Sequence, residues 1–267
     1  MKKMMTALAA FTLVLGTAAC NGGAETEEAA SDGTIAGTWK ADPGSAQAQN
    51  DNRNFVLADG EYTCNSCLPP FSMTANGEWQ DVDRPGVDQI MIEVVDDNTV
   101  RTAARFEGRD LGATTWTVSE DGNSMKQEFV NMDGEVETTG DLTLTRVAAG
   151  PEGSHAMSGE WELGEYGELS DEALTFTYAL DGDTLTSSSN GGGWTATFGG
   201  DPAAIEGDES GGMIQVERTG DNSHRETYTR DGEVIGITDV VVDGDTVTFT
   251  STDPRDESVF SFTAARQ

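Results

Sequence analysis

The sequence predicts an all-β protein of two tandem antiparallel units. Three observations carry this. Turn dipeptides recur along the chain: Asp59-Gly60, Asn76-Gly77, Asp121-Gly122, Asp133-Gly134, Asp181-Gly182, Asn190-Gly191, Asp231-Gly232 and Asp243-Gly244. Such pairs tolerate the positive φ that tight hairpins require. Between them lie short runs rich in Val, Ile, Thr, Phe and Trp, as in 89–95, 142–147 and 240–249, residues that suit a pleated, half-buried surface. The second half of the chain then repeats the first.

The repeat is legible by offset. At an offset of 124, Ile90, Glu93, Asp97, Asn98, Arg101, Gly108, Gly112, Thr114 and Val118 meet Ile214, Glu217, Asp221, Asn222, Arg225, Gly232, Gly236, Thr238 and Val242. At 123, Thr74 and Gly77 meet Thr197 and Gly200, and at 122 Gly37-Thr38-Trp39 meets Gly159-Glu160-Trp161. One unit therefore covers 37–147 and the other 159–267. Residues 148–158, with Gly150-Pro151-Glu152-Gly153, read as the linker. A unit of this length is a small domain and not a solenoid repeat. Each is expected to hold roughly eight short strands. Helix-length periodicity is missing after the first twenty residues; 45–54 and 170–174 could each form a turn or two.

One hairpin can be registered from sequence. A turn centred on Asp97 puts Glu93 opposite Arg101, and one centred on Asp221 puts Glu217 opposite Arg225. Cross-strand ion pairs of this kind fix register and add a few tenths of a kcal/mol, so both pairs read as structural.

Strand number, the opening Gly-x-Trp and the late Arg of each unit resemble lipocalin-type barrels. That resemblance implies eight-stranded barrels in which the opening Trp closes one end under the Arg. It pairs Trp39 with Arg146 and Trp161 with Arg266, a cation–π contact. Open sandwiches, or one shared sheet, remain alternatives. A second resemblance rests on residues 150–161 (GPEGSHAMSGEW), on Cys64-x-x-Cys67-x-Pro69 and on 118–122 (VSEDG). It is to an uncharacterised family of exported bacterial proteins, and it implies a compartment and a duplication but no chemistry.

The N-terminus carries the compartment. Lys2 and Lys3 precede an apolar run over 4–15, too short to span a bilayer, and then Gly16-Thr17-Ala18-Ala19-Cys20. This is an export-signal layout, and the Cys after small residues makes it resemble a bacterial lipoprotein signal. The resemblance implies removal of 1–19, lipidation of Cys20, and a soluble body held to the membrane by lipid. Residues 20–36 read as a flexible acidic tether, since 21–33 hold no large apolar residue. Asn21 is not Asp, which by the same resemblance places the anchor in the outer membrane, facing periplasm or cell surface.

Charge excludes a function class. The chain has 15 Lys and Arg against 48 Asp and Glu; losing Lys2 and Lys3 with the signal leaves 13 against 48, a formal charge of −35. Such a surface repels nucleic acid. Solvation explains the acids; divalent-cation binding is the sharper reading. The nearest calcium-loop candidate, Asp81 to Gly86, has Pro at its fifth position and Ile92 at its twelfth, so it fails. No metal and no cofactor is expected.

Cys64 and Cys67 remain as a pair once Cys20 is acylated. In an oxidising envelope they read as a disulfide, with redox activity and metal binding as alternatives. The second unit has Ser187 and Asn190 there, before three glycines. No nucleophile elbow, P-loop, dinucleotide fingerprint or HExxH occurs. His155 falls in the linker, and His224 on a strand as an ordinary exposed or half-buried residue. The function expected is a non-enzymatic, lipid-anchored envelope protein that binds a small apolar or amphipathic ligand or a protein partner. The alternatives are a structural protein with filled barrels, or an enzyme using carboxylates or Cys64 and Cys67.

Overall fold

Turn chemistry sets the hairpins. Asp59-Gly60, Glu107-Gly108 and Asp231-Gly232 each hold two consecutive residues at positive φ, the geometry whose twist suits two-residue hairpins. The structure, a computed structural model, describes residues 34–267. The expected signal 1–19, Cys20 and the expected tether as far as residue 33 lie outside the described residues.

The chain is all-β, in two ten-stranded antiparallel sheets, where the sequence suggested eight strands each. The first sheet runs in the order β4 (Phe71–Thr74), β3 (Glu61–Cys64), β2 (Arg53–Ala58), β11 (Gly159–Leu169), β10 (Thr138–Ala149), β9 (Ser124–Asn131), β8 (Arg109–Val118), β7 (Thr99–Phe106), β6 (Val87–Val94) and β5 (Trp79–Arg84). The second is a closed barrel. It runs from β1 (Gly37–Gln49) to β12 (Thr175–Asp181), β13 (Thr184–Ser189), β14 (Gly192–Thr197), β15 (Ala203–Glu206) and β16 (Met213–Gly220). It continues through β17 (Ser223–Arg230), β18 (Glu233–Asp243), β19 (Thr246–Asp253) and β20 (Ser258–Arg266), which returns to β1.

The two repeats have exchanged their opening strands. β1 pairs with β12 and β20, so Trp39 stands opposite Phe176 and Arg266. β11 pairs with β2 and β10, so Trp161 stands opposite Arg53 and Arg146. The first barrel is therefore the continuous segment 53–169. The second is 34–49 joined to 175–267. The repeats at 37–147 and 159–267 are not the physical bodies. The chain crosses between barrels at residues 50–52 and 170–174, not at 148–158.

Local details change with this. Within 45–54 the chain is strand up to Gln49 and again from Arg53, with no helix between, while Asp171–Leu174 forms a single turn, α1. The expected linker is the β10–β11 connection of one sheet, and it lies against that sheet: His155 N–H donates to Leu57 O at 2.8 Å. The end of the expected tether is ordered, with Ile35 buried.

Alternation builds each core, because successive strand residues face opposite sides. Phe55, Leu57, Ile92, Val100, Met125, Leu142, Leu144 and Trp161 fill the first barrel. Trp39, Phe176, Leu185, Ile214, Val216, Val240, Val247 and Phe249 fill the second. The barrels also touch. Asn190 reaches the β9–β10 loop, accepting from Val136 N–H at 2.9 Å and donating to Val136 O at 2.6 Å. A Cβ on Gly191 would stand 2.8 Å from the backbone nitrogen of Glu135, so this close approach requires glycine. Tyr166 meets Phe260 edge-on, and Arg109 pairs with Glu209 at 3.2 Å.

Candidate functional site

The Trp–Arg caps exist, with partners the reverse of those expected from the repeat. Arg266 lies 4.2 Å over the Trp39 ring, and Arg146 4.0 Å over Trp161. Trp39 Nε1 donates to Ile35 O at 2.8 Å and Trp161 Nε1 to Met157 O at 3.0 Å. Arg266 donates to the carbonyls of Ala36 and Thr34 (2.6 and 2.8 Å), and Arg146 to those of Ser158 and Ala156 (2.7 Å each). The two caps match residue for residue. They also explain the Gly of Gly-x-Trp: a Cβ on Gly37 would fall 2.5 Å from Arg266 Nη1, and one on Gly159 2.7 Å from Arg146 Nη1. These are structural plugs, fully buried at both tryptophans.

The registered hairpins also stand. Glu93 lies opposite Arg101, with the charges 4.0 Å apart and half exposed. Glu217 lies opposite Arg225, but the Arg225 guanidinium turns to its other neighbour, Asp239, with two bonds of 2.8 Å. Asp239 replaces Thr115 of the first copy. That hydrogen-bonded carboxylate also raises the Arg225 pKa.

The second barrel holds a polar cluster that the sequence reading missed. Glu226 Oε1 accepts from Tyr178 OH at 2.8 Å and lies 3.0 Å from His224 Nε2; Oε2 accepts from Tyr228 OH at 2.7 Å. His224 is 3% exposed and Glu226 2%, so His224 is a core residue and not the exposed or half-buried one expected. Burial, then the neighbouring Glu226 carboxylate, pushes both tyrosine pKa values well up. The first barrel carries Phe55, Val100, Thr102 and Ala104 at the matching positions. Setting His224-x-Glu226-x-Tyr228 beside Val100-x-Thr102-x-Ala104 would have flagged the cluster, because all three lie on one strand face. Tyr178, His224 and Glu226 are buried and Tyr228 is half-buried, all four joined through the one carboxylate. Such a network holds one register in place, and losing a member leaves the others unsatisfied. Among the described residues no group of His, Cys, Asp and Glu is arranged to hold a metal ion.

The clearest difference between the copies lies at Cys64 and Cys67. They form a disulfide, with Cα atoms 5.4 Å apart. In the second barrel the β13–β14 ladder continues through Ser188–Gly193 and Ser189–Gly192. In the first it stops at Cys64–Phe71, and the bridged loop with Pro69-Pro70 follows. The consequence is a seam. β14 pairs with β15 through Gly193–Glu206 and Trp194–Ile205, whereas β4 and β5 do not pair and the first sheet stays open there. The repeat places Pro70 and Phe71 where Gly193 and Trp194 stand, and Asp83 and Val82 where Glu206 and Ile205 stand. Proline has no N–H and is disfavoured inside a ladder. Side chains bridge the gap instead: Gln80 Nε2 donates to Thr74 O at 2.7 Å, and Arg84 Nη1 to Pro69 O at 3.1 Å. Arg84 also stacks 4.7 Å over Phe71.

Elsewhere the surface offers shallow depressions at the hairpin ends, one beside Asp96, Asn98 and Glu120, another beside Asp183, Phe198 and Arg218. Among the described residues no helix is long and apolar enough to cross a membrane. No known protein family, curated protein or solved structure matches the chain.

Proposed function

We propose that this is a lipid-tethered envelope protein, anchored at Cys20, that acts without catalysis by binding a protein partner on its outer surface. The observation that carries this over small-ligand carriage is that both barrel interiors are occupied by their own side chains, with Trp39 and Trp161 as end plugs at 0% exposure. A barrel that carries a ligand needs an interior wider than its own side chains fill. The acidic surface favours a basic partner and repels nucleic acid. The bridged Cys64 and Cys67 serve here to shape the loop before β4.

The test is native mass spectrometry of protein released gently from envelope membranes. The reading expects the mass of the lipidated chain less two hydrogens and nothing more. A stoichiometric adduct extractable into organic solvent would make the protein a ligand carrier and refute it. Fatty-acid labelling checks the anchor: label must appear on the native chain and vanish in Cys20→Ser.

A further inference from the structure

We propose that the open β4–β5 seam is an acceptor for an extended segment of a protein partner in which apolar and basic residues alternate. The inference rests on the partner-binding reading and names the surface and its occupant. Within one molecule the same strands are closed in one copy and open in the other, so the opening is not a requirement of the fold. Edge strands ordinarily accept further strands unless they are blocked. Here the block is two side chains, Gln80 and Arg84, which already serve as donors to Thr74 O and Pro69 O. The backbone N–H groups of an incoming strand can take over that role.

Alternation dictates the occupant. Phe71, Met73 and Val82 face the core of the first barrel, so every second residue of an inserted strand meets apolar surface. Ser72, Thr74, Asp81 and Asp83 face outward and are exposed, with Glu61 and Glu78 nearby. The intervening residues of the occupant therefore meet carboxylates and should be Lys or Arg, since complementary charge gives register and selectivity. Arg84 is the basic residue on these two strands, and it is committed to Pro69 and Phe71.

The experiment titrates the whole mature protein with a capped peptide of about six residues alternating valine and lysine, and with the same peptide carrying proline for valine. Binding is read by calorimetry and mapped by hydrogen exchange. The valine peptide is expected to bind and to slow exchange across 71–74 and 79–84, but not across 192–197 and 203–206. The proline peptide, which cannot form a ladder, is expected to be silent. Asp81→Lys with Asp83→Lys should weaken binding by about tenfold or more while thermal unfolding stays as in the native chain. Equal binding of both peptides, protection elsewhere, an indifferent charge variant or no binding at all each overturns the seam. None of these touches the partner reading, which stands or falls on the mass measurement.

Discussion

Trp39→Ala separates the exchanged arrangement from the order of the repeats. Trp39 is fully buried, donates to Ile35 O, and lies under Arg266. Truncating a buried tryptophan costs about 3–5 kcal/mol, and the loss of the cation–π contact falls within that range. A domain is stable by only about 5–15 kcal/mol, so the damaged barrel should open far more often. Which barrel is damaged decides the matter. Trp39 begins the first repeat in sequence, yet in space it plugs the second barrel. Hydrogen exchange followed peptide by peptide should therefore speed up across 175–266 and remain slow across 89–131 and 138–149. Accelerated exchange confined to 53–149, with 175–266 protected, would refute the exchange of strands. Single-transition melting is a poorer readout, because two barrels need not unfold together.

Other outcomes follow from the same geometry. Glu226→Ala leaves the Tyr178 and Tyr228 hydroxyls and His224 without their shared acceptor and should destabilise the second barrel by about 1–3 kcal/mol for each buried donor so left, measured by denaturant unfolding; Thr102→Ala, at the matching place in the first barrel, should cost much less. Alkaline pH should also unfold the second barrel. Burial raises the Tyr178 and Tyr228 pKa values above the ordinary 10.0, so below that pH both states stay protonated. Above it the unfolded chain sheds protons that the folded chain keeps, and stability falls as pH rises. Tyrosinate absorbance from these rings should appear only with unfolding, and Tyr178→Phe should lessen the pH dependence. Cys64→Ser with Cys67→Ser opens a loop bridged between residues three apart and should cost about 2 kcal/mol by the loop-entropy estimate, read as a lower midpoint for the first barrel alone.

Much of this architecture was legible. Strand and turn residues alternate at hairpin spacing, and the Glu93–Arg101 and Glu217–Arg225 registers follow from counting outward from Asp97 and Asp221. The cap chemistry was legible too, but its partners were not. β1 and β11 carry the same Gly-x-Trp, and Arg146 and Arg266 are equivalent receivers, so no local preference distinguishes the exchanged from the unexchanged pairing. What decides it is chain path: 150–158 fold back onto their own sheet through His155 and Ser158, delivering Trp161 to Arg146, and Trp39 is left for the barrel that lacks an opening strand. The seam was half legible. Replacement of three glycines by Leu68-Pro69-Pro70 after Cys67 signals a changed hairpin, but the absence of β4–β5 pairing emerges only from the sheet. The buried His224–Glu226–Tyr228 stripe was hidden by treating His224 alone, when its meaning lies in strand parity.

The most direct test of the exchange uses the scarcity of lysine. The chain has Lys2, Lys3, Lys40 and Lys126, and Lys40 Nζ lies 2.7 Å from Asp171 Oδ1, at the start of the turn leading into β12. Carbodiimide treatment of dilute protein, followed by digestion and mass spectrometry, should join Lys40 to Asp171 within one chain. A Lys40 link to acids of 53–149, with none to Asp171, would place β1 in the first barrel and contradict the account.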